Sequence, residues 1–211
     1  RIMGESSTEK NNSPFYSIKK AIDINADADF VEYDLITIPG LTNSSLNTQL
    51  IQAAEDRGDS LAIVDLAGGY KPPHERNTSE SSADALGDVE TTVTNLKDMN
   101  LNTSYGCAFY PFVKIRDNVR NSILYVPPSV VALGTFSSSQ RKSAVWFAPA
   151  GFSRGALPNV TSLDVRLNAA DRDTLYEARI NPIANFPNNQ FVIFGQKTTQ
   201  IARTALDRVN V

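Results

Sequence analysis

The most informative stretch of this sequence is Trp146-Phe147-Ala148-Pro149-Ala150-Gly151-Phe152-Ser153-Arg154-Gly155. Its second half, Gly151–Gly155, has the Gly-x-Ser-x-Gly pattern of a nucleophile elbow, the strand-to-helix turn that presents the catalytic serine of α/β hydrolases. A working elbow needs a buried strand before Ser153, a helix directly after it and a histidine later in the chain. The apolar run Ala144–Phe147 predicts the strand. The other two requirements decide between an enzyme and a structural turn.

The rest of the chain offers Ser153 no suitable catalytic partner. The only histidine is His74, which precedes the serine, and Pro158 would interrupt a helix starting at Ser153. The order Asp65, His74, Ser153 matches the acid, base and nucleophile order of subtilisin. However, His74 lies in the polar segment 71–77, where nothing would hold an imidazole towards a serine. We interpret Ser153 as part of a structural turn, with a serine hydrolase as the less favoured alternative.

Composition and charge indicate one globular domain without a strongly charged partner. The 211 residues are 41% hydrophobic and 20% charged, which suffices for a sizeable core. The net charge of −3 comes from interspersed signs, so neither direct nucleic-acid binding nor a polybasic membrane patch is indicated. No apolar run approaches the length of a membrane span. The single cysteine, Cys107, has aromatic and apolar neighbours and is predicted to be a buried core thiol.

A nucleotide-binding protein is a second alternative, because Gly68-Gly69 follows a predicted strand that ends at Asp65. The chain contains neither Gly-x-Gly-x-x-Gly nor the Gly-x-x-x-x-Gly-Lys-Ser/Thr phosphate loop. We therefore expect no bound cofactor, and the single cysteine and single histidine predict no metal site built on those residues.

The hydrophobic pattern alternates between strand and helix signals. Strands are predicted at Phe30–Ile38, Ser60–Asp65, Tyr105–Ile115, Ser122–Val126, Ala144–Phe147, Leu163 to Leu167 through Val165, and Gln190–Gly195. Four helices are predicted. The first runs from a cap at Asn43, Ser44 or Ser45 to Gly58, and the second contains Leu86, Val89, Val93 and Leu96. The third begins at Pro127-Pro128-Ser129 and continues through Phe136, and the fourth runs from a cap at Asn168 through Leu175, Tyr176 and Ile180 to a stop at Asn181-Pro182.

This order predicts an α/β layered domain with a mixed sheet flanked by helices. We assign the domain to residues 30–211, with a polar surface loop at about 69–82. Residues 1–29 are expected to be a flexible lead-in or the end of a cut segment.

The last third of the sequence resembles the contractile tail sheath proteins of bacteriophages. That family has an aromatic strand leading into Ala-Pro-Ala-Gly-x-x-Arg-Gly, which corresponds here to Trp146–Gly155. Further blocks follow in the same order, at 171–183, 192–198 and 207–211, and segments 110–114 and 126–129 also look like the sheath core. The residues that carry the resemblance are Trp146, Pro149, Gly151, Arg154, Gly155, Asn181, Pro182, Gly195 and Thr198.

The resemblance implies a mechanical role without catalysis. Sheath subunits of this family stack as rings around an inner tail tube, and the assembled cylinder contracts to drive the tube into the host during genome delivery. The family core is subtilisin-like in topology but has no catalytic triad. The implied partners are further copies of the chain, the inner tube, the baseplate and the tail terminator, and the implied location is the virion tail, after synthesis in the host bacterial cytoplasm. A sheath subunit of a related contractile injection system is the main alternative.

The resemblance also suggests where copies of the chain meet. Family members have a further C-terminal region, which is expected to be absent here because the chain stops where that region would begin. We expect contacts between copies on the mixed-charge surface of the last third. In this hypothesis the basic residues Arg154, Lys197, Arg203 and Arg208 face the acidic residues Asp171, Asp173 and Glu177 of neighbouring copies.

Overall fold

A computed structural model describes residues 12–73, 75, 76, 79, 81, 86–144, 146–187 and 190–209. The strands are β1 (Leu35–Thr37), β2 (Leu61–Val64), β3 (Gly106–Tyr110), β4 (Val113–Asp117), β5 (Ser122–Val126), β6 (Val160–Leu163), β7 (Ile180–Phe186) and β8 (Gln190–Ile193). The helices are α1 (Ser13–Asn25), α2 (Ser44–Arg57), α3 (Val89–Asp98), α4 (Pro128–Lys142), α5 (Gly151–Arg154) and α6 (Ala169–Glu177), and a 3₁₀ turn spans Ala205–Asp207.

A five-stranded sheet in the order β1-β2-β3-β7-β8 forms the centre of the fold. The first four strands are parallel, and β8 joins β7 as an antiparallel edge. Short apolar strands such as Leu61–Val64 suit this position because helices cover both faces of a parallel sheet. The predicted α/β layered domain with a mixed sheet flanked by helices is confirmed.

Alternate side chains of the strands build two separate cores. Ala62 and Val64 of β2 point into the core formed with α1, α2, α3 and α6. Ile63 between them points to the opposite face, towards α4, together with Cys107 and Phe109 of β3. Cys107 is fully buried, as predicted, and burial raises the pKa of its thiol. The sheet is therefore the middle layer of three.

A second sheet in the order β5-β4-β6 is antiparallel throughout. Its central strand β4 follows β3 after the short link Pro111-Phe112, and the Phe112 carbonyl accepts a hydrogen bond from the Asp164 amide at 2.9 Å. This hydrogen bond joins the end of the main sheet to the segment directly after β6.

Local capping signals in the sequence set several helix ends. The Asn43 side chain accepts a hydrogen bond from the Leu46 amide at the start of α2, and Gly58 ends that helix with φ of 71°. Asn168 begins α6 in a reciprocal capping box with Asp171. These three predictions are confirmed, and α4 begins at Pro128 as predicted.

The first part of the chain differs from the prediction. Ser13–Asn25, assigned to a flexible lead-in, forms helix α1 and packs on α2 through Phe15 and Ile22, whose helical spacing was not recognised in the sequence. Residues 1–11 of that segment lie outside the described residues. The strand predicted from Phe30 is shorter, because only Leu35–Thr37 pairs with β2 and Phe30 itself is 72% exposed.

The last two-thirds contain further differences. Leu86 is exposed and precedes α3 instead of belonging to it. The strand predicted at Ala144–Phe147 is wrong: the Phe147 amide donates to the Ala144 carbonyl at 3.0 Å, which closes a turn. The predicted strand through Val165 and Leu167 ends at Leu163, after which residues 164–168 lead to α6.

The end of α6 was also predicted incorrectly. Arg179 adopts φ of 69°, a left-handed conformation that ends the helical path before Ile180. Ile180 therefore begins β7, and Asn181-Pro182 lies inside this strand instead of stopping a helix. Pro182 pairs with Tyr110 of β3.

Candidate functional site

The stretch Trp146–Gly155 forms an irregular loop that ends in the single-turn helix α5. Gly151 starts α5 with φ of 81°, a left-handed conformation that favours glycine. A Cβ on Gly155 would lie 2.8 Å from both the Ile193 carbonyl oxygen and the Gly151 nitrogen. Gly151 therefore permits the left-handed backbone conformation at the start of α5, and Gly155 permits the close approach of this segment to Ile193.

That close approach covers the outer edge of β8. The Ile193 amide donates to the Gly155 carbonyl at 2.8 Å, and the Leu157 amide donates to the Phe191 carbonyl at 2.8 Å. Ala156 between them pairs with Val192 as an isolated antiparallel bridge. An uncovered edge strand offers backbone groups to other chains, so the motif closes this rim of the sheet.

Arg154 holds the loop before α5 in place. Its Nε donates to the Ala148 carbonyl at 2.9 Å, and its guanidinium lies 4.8 Å from the centre of the Phe147 ring. Pro149 is buried beside it, whereas Trp146 is 69% exposed. In the described structure, Arg154 thus stabilises its own loop.

The residues proposed for a catalytic triad have other structural roles. Asp65 is fully buried, and its carboxylate accepts hydrogen bonds from the Ser129 amide at 3.0 Å, the Ser129 hydroxyl at 2.6 Å and the Gly40 amide at 2.8 Å. Burial raises the pKa of this carboxyl group. Ser153 is exposed on α5 and makes no hydrogen bond to any described residue, and His74 lies outside the described residues.

Gly68 and Gly69, considered for phosphate binding, pack closely against the protein itself. A Cβ on Gly68 would lie 2.7 Å from the Thr92 nitrogen, and one on Gly69 would lie 2.5 Å from the Phe112 ring. The Gly68 carbonyl accepts a hydrogen bond from the Asp88 amide at 2.7 Å, next to the start of α3. Both glycines serve close packing within the chain.

The remaining motif residues attach segment 195–209 to the main sheet. The Asn181 side chain donates to the carbonyls of Ala108 and Lys197, at 3.1 and 2.8 Å, and accepts the Lys197 amide at 2.6 Å. A Cβ on Gly195 would lie 2.9 Å from the Asn181 Oδ1. Thr198 is buried, and its hydroxyl donates to the Leu206 carbonyl at 2.9 Å.

Basic residues predicted to contact other copies lie together beside this segment. A cleft of about 470 Å³ contains four cations and two carboxylates, and is lined by Tyr176, Glu177, Arg179, Lys197, Arg203, Asp207 and Arg208. We call it the basic cleft. Lys197, Arg203 and Arg208 were predicted as contact residues, and Arg179, which the sequence assigned to a helix, lies beside them in the cleft.

The three acidic residues predicted to contact other copies have different structural roles. Asp171 accepts the Asn168 amide at 3.0 Å within the capping box of α6. Asp173 is exposed on the same helix, and Glu177 lies at its end, in the lining of the basic cleft. Asp171 thus stabilises its own helix, and Asp173 faces solvent.

Residues 18–199 match the family model described as "Phage tail sheath protein central domain". The chain belongs to the phage tail sheath protein family. Among the residues that carry the resemblance, Gly155 helps to cover one sheet edge and Asn181 attaches segment 195–209 to the sheet centre.

Curated sheath proteins match over nearly the whole chain. The tail sheath protein of Vibrio phage KVP40 is 27% identical over 229 residues, which covers 96% of this chain and 34% of the relative. The tail sheath protein of Enterobacteria phage T4 is 27% identical over 209 residues, which covers 92% of this chain and 30% of the relative. The chain spans about a third of the length of these sheath proteins.

Solved structures of contractile assemblies share the fold. A chain in the anti-feeding prophage baseplate has a TM-score of 0.59 at 20% identity, covering 94% of this chain and 45% of that one. A chain in the contracted helical sheath of the same system has a TM-score of 0.57 at 20% identity, covering 94% and 46%. These likenesses place the sheath domain in the same structural class.

Membrane spans and metal clusters are not found in the described part of the chain. No helix among the described residues is both long and apolar enough to cross a membrane. Within the same residues, no group of three or more His, Cys, Asp or Glu side chains could hold a metal ion.

Proposed function

We propose that this chain is the core of a contractile tail sheath subunit that polymerises as stacked rings around an inner tube and contracts to drive that tube into a host cell. The observation that carries the proposal is the match of residues 18–199 to the sheath central domain. Curated phage relatives named tail sheath protein and the shared fold with chains of contracted sheaths support it.

In this proposal, contraction is a change of packing between copies, not a chemical reaction. Rigid domains that are linked in a helical assembly can shift from one set of contacts to another. Two packed cores on a central sheet provide such a rigid domain. The subtilisin-like topology implied by the family resemblance belongs to this proposal, as does a location in the virion tail after synthesis in the host cytoplasm.

The proposed partners are other copies of the chain, the inner tail tube, the baseplate and the tail terminator. Of the residues predicted to meet other copies, Asp173 is exposed, and four line the basic cleft: Glu177, Lys197, Arg203 and Arg208. We retain these five as intersubunit contacts. Arg154 and Asp171 also stabilise their own loop and helix, so a contact role would come in addition.

Electron microscopy tests the proposed function directly. The gene product that carries this sequence should form hollow tubes or stacked rings when concentrated, and a protein that stays monomeric at every concentration would overturn the proposal. A sheath of a non-phage contractile injection system is the second candidate, favoured by the shared fold with an extracellular contractile injection system in its contracted state. Recovery of the protein in infectious particles would distinguish a phage tail from that candidate.

We also propose that the chain is not an enzyme. The Asp65 carboxylate already accepts hydrogen bonds from Ser129 and Gly40, and the exposed Ser153 has no hydrogen-bond partner among the described residues. Ser153→Ala should leave assembly unchanged, and the unaltered protein should hydrolyse no activated ester. Ester hydrolysis that disappears in Ser153→Ala would restore the hydrolase interpretation.

A further inference from the structure

Charge is distributed unevenly along this chain, although the whole chain has a net charge of only −3. Residues 21–59 contain eight carboxylates and one arginine. Residues 178–208 contain three arginines, one lysine and one aspartate. The fold therefore carries an acidic part and a basic part, and the interspersed signs inferred from the sequence do not hold for these two segments.

The acidic part is exposed to solvent. All eight of its carboxylate residues are exposed: Asp23, Asp27, Asp29, Glu32, Asp34, Glu55, Asp56 and Asp59. Four of them, Asp27, Asp29, Glu32 and Asp34, follow one another between α1 and β1. We call residues 27–34 the acidic loop.

The only arginine of this part is already used inside the chain. The Arg57 side chain is 1% exposed and forms a bidentate ion pair with Asp59 at 2.8 and 2.9 Å. Its Nη1 also donates to the carbonyls of Asn25, Asp27 and Val31, at 3.1, 3.2 and 2.9 Å. Arg57 thus fixes the shape of the acidic loop without neutralising its four carboxylates, none of which pairs with a cation among the described residues.

The basic cleft has the opposite imbalance. Arg179 is held by backbone carbonyls, including that of Ile201 at 2.7 Å, and Lys197 donates to the Tyr176 carbonyl at 2.7 Å. Arg203 is exposed and makes no hydrogen bond or ion pair with the part of the chain that the structure describes. Burial, together with the nearby charges of Arg179 and Arg208, lowers the pKa of the Lys197 ammonium group. An entering carboxylate would relieve this concentration of positive charge.

No ion pair joins the two regions among the described residues, although Asp34 and Asp59 line one cleft together with Arg208. Asp34 directly precedes β1 and Arg179 directly precedes β7, and these strands are separated by three strand spacings, or about 14 Å. Both regions lie at the amino ends of the parallel strands. Two different and complementary patches on one molecule produce a heterologous contact, which repeats head to tail into rings or helices.

We propose that the acidic loop of one copy docks in the basic cleft of the next copy. The inference rests on the proposed sheath function and adds the two surfaces that meet. The occupant of the cleft is a second copy because this chain itself supplies an exposed loop of the required charge. Charge pairs of this kind favour correct registration and faster association, and they weaken with salt.

Charge reversal with rescue tests the inference. Arg203→Glu and Asp29→Lys change exposed side chains that make no described side-chain contact, so both variants should keep the thermal unfolding temperature of the unaltered protein. Each variant alone should associate about tenfold more weakly in sedimentation velocity at low salt. A mixture of the two variants, and a chain carrying both changes, should recover association, because each restores opposite charges across the contact.

Matched controls are Arg120→Glu at the β4–β5 turn and Asp98→Lys at the end of α3, which are exposed and lie outside both regions. These should associate like the unaltered protein. If Arg203→Glu behaves like Arg120→Glu, or if mixing restores nothing, the inference is wrong while the sheath function stands. If the unaltered protein forms neither oligomers nor tubes, the proposed function fails as well.

Discussion

The Ser129 hydroxyl donates a 2.6 Å hydrogen bond to the buried carboxylate of Asp65. This contact joins the carboxyl end of β2 to the first turn of α4, two elements that are 64 residues apart in sequence. The Ser129 amide reinforces it at 3.0 Å, so the negative charge lies where a helix presents free amides. Helix α4 is thereby attached to the face of the sheet opposite the other long helices.

Ser129→Ala should destabilise the fold by about 2 kcal/mol, because it removes a hydrogen bond to a buried charged group. Urea unfolding followed by circular dichroism would measure the loss. Ser137→Ala is the matched control, since Ser137 lies exposed on the same helix and should change stability little. Equal midpoints for the two variants would contradict the role given to Ser129.

The raised pKa of Asp65 predicts a dependence of stability on pH. Because its folded-state pKa exceeds the unfolded value of about 3.9, Asp65 favours folding most below that value, and the contribution is lost as pH rises through the folded pKa. The unaltered protein should therefore lose stability relative to Asp65→Asn as the pH rises above the unfolded pKa and through the folded one. Asp59 and Asp88, whose pKa values are lowered, titrate in both proteins and cancel in the comparison. A pH-independent difference in unfolding free energy would contradict this prediction.

Arg57→Lys should loosen the acidic loop without unfolding the domain. A lysine lacks the planar guanidinium that reaches Asp59 and three carbonyls together, and it stacks less well on Tyr33, whose ring centre lies 4.0 Å from the Arg57 guanidinium carbon. Amide hydrogen exchange within residues 26–34 should become about tenfold faster, with β2 and β3 unchanged. Arg120→Lys serves as the control, and unchanged exchange in the loop would exclude Arg57 as its support.

Gly155→Ala should cost about 1–3 kcal/mol, because the added Cβ would lie 2.8 Å from the Ile193 carbonyl oxygen and force segment 155–157 away from β8. Gly134→Ala provides the opposite case. Gly134 lies within α4 with nothing within 4 Å of its added Cβ, so alanine should stabilise the helix by about 0.5–1 kcal/mol. Chemical denaturation of both variants would measure the change in the free energy of unfolding. A change in the same direction for both variants would refute the close-approach argument.

The sequence predicted those features that depend on neighbouring residues. Asn43 and Gly58 delimit α2, Asn168 caps α6, and the apolar run containing Cys107 becomes a buried central strand. Each of these signals acts within a few positions of the chain. The alternation of such segments was sufficient to predict the layered α/β class.

Features that depend on distant contacts were missed. Residues 30–34 have strand composition, but the preceding loop is fixed by Arg57, which lies more than 20 positions away. Ile180 looks helical, yet the left-handed backbone of Arg179 redirects the chain, and residues 180–182 pair with β3. The basic cleft also escaped prediction as a unit, because its cations come from the end of α6 and from the segment after β8.

The attachment of segment 195–209 has a mechanical consequence. Asn181 binds this segment to β7, and the Thr199 amide and hydroxyl donate to the carbonyls of Gly106 and Thr103 at 2.9 and 2.8 Å, beside the start of β3. A load on the segment would thus enter at β3 and β7, two of the three strands that have neighbours on both sides. Tension would be shared across the middle of the sheet instead of pulling an edge strand away from its single neighbour.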